Sequence, residues 1–291
     1  MSVPRTLELP PGVEAITIET SRGRFAAHVI RVEQPRGHVL LVPGWTGSKE
    51  DLTPVLPLLA AAGLDATTYD QRGQFETSAG PDDEFTLEAF AADAAAVRAT
   101  SGHERSHLLG HSFGGLVSQH AVVADPSPWL GLSLLCTGPG ALGDSPTRPL
   151  RRLASAIGKV PLLQVHELRE QGVRRPAQIT AFLARRFTSN DPRSLRAMTQ
   201  LLIDAPDIVD DVARLGVPVW VGRGVDDDAW PHDVQQLMAE RLGTEVHVVP
   251  DSAHSPAVEN PTALVADWLP FLREHLPEPS PTVVDKDQET D

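Results

Sequence analysis

A single cysteine, Cys136, stands among the 291 residues, so no disulfide framework is possible and a reducing compartment is expected. No run of eighteen apolar residues occurs, and the N-terminal MSVPRTLELPPG lacks the apolar stretch of a secretory signal. Neither a membrane span nor an export signal is therefore expected; the reading is a soluble, unprocessed cytoplasmic protein. Cationic side chains are in deficit, with 25 Lys and Arg against 39 Asp and Glu and a formal charge of −14. That balance repels polyphosphate and argues against nucleic acid or an anionic membrane as partner. No segment repeats at a solenoid or propeller period. What is present suffices for one large core: 41% of the residues are hydrophobic, enough to leave room for a modest appended subdomain.

Short β-rich runs alternate with helical stretches. VEAITIET and FAAHVIRV, separated by SRGR, predict an opening hairpin. HVLLVP (38–43) reads as a buried strand, followed by a helix capped by Ser48 and ending at Gly63. LDATTYD is a further strand. The alanine-rich helix after it is capped by Thr86, carries Glu88 in its first turn and stops at Gly102. SHLLGHS, GLVSQHAVVA and GLSLLCT continue the rhythm as strand, helix, strand. Such alternation means a parallel sheet with helices on both faces. From Asp144 to about Ala205 only helical patterns occur, with Arg151, Arg152, Arg174, Arg175, Arg185 and Arg186 on their exposed faces. The sheet rhythm then resumes with VPVWVGRG, a helix from Pro231, TEVHVVP and a final helix. The expected organisation is a core in two parts, 1–143 and 206–276, interrupted by a helical insertion at 144–205. PEPSPTVVDKDQETD (277–291), rich in proline and carrying five acidic residues, is expected to be a disordered tail.

Residues 102–115, GHERSHLLGHSFGG, hold two catalytic signatures. His103-Glu104-Arg105-Ser106-His107 spells the zinc pattern H-E-x-x-H, which needs a helix to bring both imidazoles to one face. Gly102 ends a helix just before it and a strand follows, so the two histidines diverge and no metal is expected. Gly138–Gly143 matches G-x-G-x-x-G, but it follows the sixth strand, precedes the helix-averse DSPTRP and lacks the acid of a dinucleotide site. A hinge into the helical insertion is the better reading, and no cofactor is expected. Gly110-His111-Ser112-Phe113-Gly114 is different, because Ser112 falls on a turn from strand to helix, where G-x-S-x-G presents a nucleophile.

A serine needs a base, and the base an orienting acid. In this type of fold they follow in the order serine, acid, histidine on loops at the C-terminal edge of the sheet. His254 follows the last strand and is the expected base. The strand before it leads into Asp226-Asp227-Asp228; Asp227 is taken as the acid, with Asp226 and then Asp228 as the alternatives. The N–H groups of Phe113 and Trp45, the latter in the loop after the third strand, are the expected oxyanion donors. Trp45, Phe113, Trp230 and Phe75 are expected to flank an apolar substrate pocket.

With these residues placed, the chain resembles the α/β-hydrolase superfamily over about residues 10–276. GHSFGG, PGWTGS, DQRGQFETS, GVDDDAWP and DSAHSPAVENP carry the resemblance, in the family's order. It implies eight mostly parallel strands, the second antiparallel, and a helical cap after the sixth. Two departures stand out. Pro43 occupies a position where family members usually have histidine, and QFETS after Gly73 is bulkier than the usual small residues. Serine at the elbow disfavours the related branches that use aspartate. The expected activity is hydrolysis of a small, largely apolar ester or lactone through an acyl-enzyme, by a monomer or homodimer acting on a small molecule. The alternatives are C–C bond hydrolysis, perhydrolysis or amide cleavage on the same triad, or a non-catalytic receptor on this scaffold.

Overall fold

The computed structural model describes residues 2–277; the segment expected to form a tail lies outside them from residue 278 onward. β1 (Val13–Thr20) and β2 (Gly23–Ile30) pair antiparallel along their full length. β3 (Gly37–Val42), β4 (Leu64–Tyr69), β5 (Ser106–His111), β6 (Trp129–Leu135), β7 (Val219–Gly224) and β8 (Val246–Val249) complete one sheet. The order is β1-β2-β4-β3-β5-β6-β7-β8, with β2 antiparallel to both neighbours and all pairs from β4 to β8 parallel. This is the eight-stranded α/β architecture expected.

The central strands β3, β5 and β6 are buried at every position, as a sheet covered on both faces requires. Alternation along β3 sends Leu40 and Val42 into one core and Val39 and Leu41 into the other. The first core is closed by α2 (Leu87–Ala99) and α3 (Phe113–Ala124), the second by the short α1 (Leu56–Ala61). Thr86 caps α2 by accepting from Ala89 N–H. Between β6 and β7 the chain forms α4 (Asp144–Ala156), α5 (Leu162–Arg169), α6 (Ala177–Thr188), α7 (Pro192–Asp204) and α8 (Val209–Arg214). α9 (His232–Arg241), α10 (Pro256–Glu259) and α11 (Pro261–Glu274) follow, and α11 covers the second core with Leu264, Val265, Trp268 and Leu272.

Local structure departs from the sequence reading where proline intervenes. The helix expected from Ser48 begins instead as two 3-10 turns, Lys49–Asp51 and Thr53–Val55, and becomes α-helical at Leu56. Pro54 and Pro57 remove N–H donors and disfavour α geometry in the residue before each. DSPTRP, read as helix-averse, lies in α4 from its first residue. Pro146 falls in its first turn, where the N–H groups need no intrahelical partner, whereas Pro149 lies inside the helix and removes one of its hydrogen bonds.

Four histidines are buried in or beside the sheet; His111, the last residue of β5, stands next to Ser112, and the other three lie away from it. His28 pairs with Thr53 Oγ1, His38 with Ser106 and Thr67 hydroxyls, and His107 Nε2 with the Leu272 carbonyl. Burial lowers them to about 4, about 3 and about 4 respectively. In the unfolded chain they titrate near 6.5, so below that pH the unfolded state takes up protons that the fold refuses. Their contribution is complete above pH 6.5 and is lost as the pH falls toward 4. At about 1.4 kcal/mol per pH unit for each group, these three are expected to take about 4 kcal/mol from the unfolding free energy between pH 7.5 and 5.5, and His111, also lowered by burial, adds to the drop. Urea unfolding at the two values measures it; equal midpoints would mean that the imidazoles protonate inside the fold.

Candidate active site

Ser112 occupies the single-residue turn between β5 and α3, with φ 56° and ψ −121°. A side chain at positive φ costs on the order of 1–3 kcal/mol and is held only by its surroundings. The flanking glycines show what holds it. A Cβ at Gly110 would lie 2.3 Å from the Gly114 carbonyl oxygen, and one at Gly114 would lie 2.3 Å from that of Val42. Strand, helix and neighbouring strand therefore meet backbone to backbone, and the turn has no room to relax.

His254 follows β8 and Asp227 follows β7, so all three groups stand at the C-terminal edge of the parallel strands. His254 Nε2 lies 3.0 Å from Ser112 Oγ, and its Nδ1 lies 2.7 Å from Asp227 Oδ1. A carboxylate only accepts, so Nδ1 carries the proton and Nε2 offers a lone pair to the serine hydroxyl. Asp227 also accepts from Ala229 N–H at 3.2 Å and Gln235 Nε2 at 3.0 Å. Its burial pushes the carboxyl pKa up, but His254 and these two donors outweigh burial and hold it below the usual carboxylate range. Of the three adjacent aspartates, Asp227 alone is buried; Asp226 and Asp228 are exposed.

The loop bearing His254 is fixed from several sides. Ala253 and Ser255 N–H both donate to Glu259 Oε2, at 2.7 and 3.1 Å. The His254 carbonyl accepts from His111 Nε2 at 2.6 Å, and burial lowers His111 to about 3, which keeps it a neutral donor. Gln235, His111 and Glu259 escaped the sequence reading. None of the three left a signal along the chain; Glu259 stands four residues after Ser255, one too far for a capping box.

The loop after β3 turns at Gly44–Gly47, closed by Gly47 N–H on the Gly44 carbonyl at 3.0 Å. A Cβ on Gly44 would sit 3.0 Å from Ser112 Cβ, which places this backbone directly beside the serine. With proline at 43, Gln71 supplies the loop's support by donating to the Pro43 carbonyl at 2.8 Å. Asp70 adds to it by accepting from Lys49 N–H at 2.8 Å and Lys49 Nζ at 3.0 Å.

A cavity of about 260 Å³ opens at Ser112 and His254, walled by Trp45, Leu142, Leu150, Leu202 and Trp230. Of the four aromatic residues read as flanking a pocket, Trp45 and Trp230 line this cavity, whereas Phe113 and Phe75 do not. The Phe113 ring turns into the core and meets Phe90 edge to face at 5.7 Å, because the first residue of α3 faces the sheet. Phe75 packs against Ile179, Phe182 and Leu183 of α6, with Lys49 Nζ 4.8 Å over its ring. The bulky segment after Gly73 therefore docks on the helical block.

His103 bonds Asp65 from a loop while His107 faces the Leu272 carbonyl, so H-E-x-x-H brings no ligand pair together. Gly138 and Gly140 admit Trp230 and the Pro206 carbonyl at distances that a Cβ would block. Among the described residues one trio of metal-type donors converges within 4.8 Å: His111, Cys136 and His254. His111 and His254 are already hydrogen-bonded, and burial holds the Cys136 thiol protonated.

Residues 39–268 match the model of the alpha/beta hydrolase family. The chain belongs to that family. This alpha/beta hydrolase is 26% identical to a putative carbamate hydrolase, RutD, of Variovorax paradoxus over 245 residues, covering 80% of this chain and 91% of the relative. It is 29% identical to a 2-succinyl-6-hydroxy-2,4-cyclohexadiene-1-carboxylate synthase of Serratia proteamaculans, over 59% of this chain and 69% of that one. In fold it is similar to a thermophilic esterase from Thermogutta terrifontis, with a TM-score of 0.73 at 22% identity over 91% of this chain and all of the other. An N-acyl homoserine lactonase, AidH, superposes with the same TM-score at 21% identity, covering 90% and 97% of the two chains. No helix among the described residues is long and apolar enough to cross a membrane. The chain is an enzyme of the hydrolase class.

Proposed function

We propose that this hydrolase cleaves a small, largely apolar carboxylic ester or lactone through an acyl-enzyme. The observation that carries the reading is the continuous line of hydrogen bonds from Ser112 through His254 to Asp227 at the floor of an apolar cavity. Ser112 Oγ attacks the carbonyl carbon as His254 Nε2 takes the hydroxyl proton, and Asp227 holds the tautomer and stabilises the imidazolium. The N–H groups of Phe113 and Trp45 receive the oxyanion; the first opens α3, where the helix dipole adds to it. The imidazolium protonates the leaving alkoxide. Water, deprotonated by His254, then attacks the acyl-enzyme and frees Ser112. The helical block at 144–205 acts as the cap, contributing Pro149, Leu150 and Leu202 to the cavity wall. Esterase and lactonase relatives in fold and a carbamate hydrolase in sequence support an acyl-transfer reading. A fluorophosphonate probe tests it: Ser112 labels and Ser112→Ala does not, whereas no labelling of the wild type removes the mechanism.

A carboxylate-bearing substrate, as C–C bond hydrolysis would need, has one observation in its favour. Residues 144–205 hold 11 of the 25 Lys and Arg but 5 of the 39 Asp and Glu, so the block carries +6 and the remainder −20. Within it, Arg169 stacks 5.0 Å over the Trp45 ring and 5.1 Å over Phe187, with a buried Nη1 that has no acceptor among the described residues. On this reading Arg169→Gln raises KM for a hemisuccinate ester by tenfold or more and leaves its neutral methyl ester unchanged. Equal effects on both would remove it.

A further inference from the structure

Ser2–Arg5 run between two sides of the site. Ser2 is buried and lines the cavity together with Ser112 and His254. Its hydroxyl pairs with Ser255 Oγ at 2.8 Å, one residue beyond His254, and its carbonyl accepts from Arg186 Nη2 of α6 at 2.6 Å. Val3 packs on the cluster of Phe75, Ile179, Phe182 and Leu183, while Arg5 donates to the Glu259 carbonyl. The segment is therefore fastened both to the turn that carries His254 and to the helix above it.

Arg186 is the joint between these parts. Read from the sequence as lying on an exposed face, it is fully buried instead, and its Nη1 reaches Asp51 Oδ1 at 2.6 Å and Ser48 Oγ at 3.2 Å, just past the Gly44–Gly47 turn. Asp51 in turn accepts from Ser48 N–H at 3.3 Å. One guanidinium thus ties α6, the loop beside the nucleophile and the Ser2 carbonyl together. Removing an acceptor from a buried charged donor is expensive, so the segment resists displacement.

We propose that Ser2–Arg5 form a strap that closes one end of the substrate cavity, and that Ser2 sets how long a group the cavity accepts. This rests on the hydrolytic reading above. The strap belongs to no helix or strand, so it is a part of the wall that can change without disturbing the sheet. Serine leaves the cavity its present length, a larger side chain at position 2 shortens it, and loss of the strap opens it. A substrate group too long for the closed cavity must push the strap aside and give up its bonds to Ser255 and Arg186.

The test is kcat/KM on 4-nitrophenyl esters from acetate to decanoate, for the wild type, Ser2→Leu and a shortened chain from which Ser2–Arg5 are deleted. Ser2→Leu is expected to lower the ratio of the rate on the longest accepted ester to the rate on acetate at least tenfold. The shortened chain is expected to raise the decanoate-to-acetate ratio at least tenfold. An unchanged length profile in both overturns the proposal. Should the shortened chain fail to fold by circular dichroism, Ser2→Leu alone decides. If the wild type hydrolyses none of the esters, it is the hydrolytic reading that fails. The strap is then read by amide hydrogen exchange over Ala177–Thr188, expected to quicken in the shortened chain, where Arg186 loses the Ser2 carbonyl; unchanged exchange overturns the strap as well.

Discussion

Ser112→Ala is expected to keep the fold and lose on the order of 10³–10⁶ in kcat/KM on any ester that the wild type hydrolyses. The hydroxyl touches His254 Nε2 and projects into the cavity, and no packing depends on it. On the proposed mechanism the large loss follows because this oxygen would form the covalent bond; what survives would come from the proposed oxyanion donors and substrate binding. His254→Ala should cost a similar factor and add little to the serine substitution, since a base without its nucleophile has nothing to activate. Stability offers an independent reading of the same residue. At φ 56° an alanine keeps the strain that serine bears, whereas Ser112→Gly relieves it and should raise stability by about 1 kcal/mol. A Ser112→Gly melting temperature at or below that of the wild type would show that the turn is unstrained. Residual ester turnover in Ser112→Ala within tenfold of the wild type would assign the nucleophile elsewhere.

The second large effect separates neighbours. Asp227→Asn is expected to lower kcat by about 10⁴, while Asp226→Asn leaves it within about threefold. Asparagine presents either an N–H or a carbonyl to His254 Nδ1. In the first case it forces the proton onto Nε2, where it blocks the serine; in the second it keeps the tautomer but withdraws the charge that stabilises the imidazolium. Gln235 and the Ala229 N–H both donate to the carboxylate, so the amide also loses acceptors that these buried donors require. Asp226 is exposed and meets the site through its backbone, donating its N–H to the Ser252 carbonyl at 3.1 Å. Steady-state kinetics of the two variants, with circular dichroism to establish folding, make the comparison. If the effects were exchanged, the acid would be Asp226 and the bond between Asp227 and His254 a structural one.

Legibility of the site varied with the range over which each position is decided. Ser112 could be read because strand, turn and helix all fall within ten residues and the two flanking glycines reveal the crowding around it. His254 could be read from the end of the last strand. Asp227 could be narrowed to a run of three, since all three share the loop and only the burial of one side chain separates them. Phe113 and Phe75 were misjudged for the same reason: chain position set them near the cavity, but the facing of a helix and the docking of α6 turned their rings away.

Periodicity and turn chemistry, acting between near neighbours, were enough to specify the alternating strands and helices, the interruption by helices after β6 and the loops that carry serine, carboxylate and imidazole, while the union of the strands in one eight-stranded sheet followed from the resemblance. Those signals are local, so they survive in a single chain read from end to end. Tertiary packing alone chose which aspartate turns inward, which aromatic rings wall the cavity and how Gln71 and Asp70 brace the loop behind Pro43. It alone brought Ser2 to Ser255 across 253 positions. Such contacts rest on the fit of side chains from distant segments, where burial and unmet hydrogen bonds decide the outcome and no pattern along the chain records it.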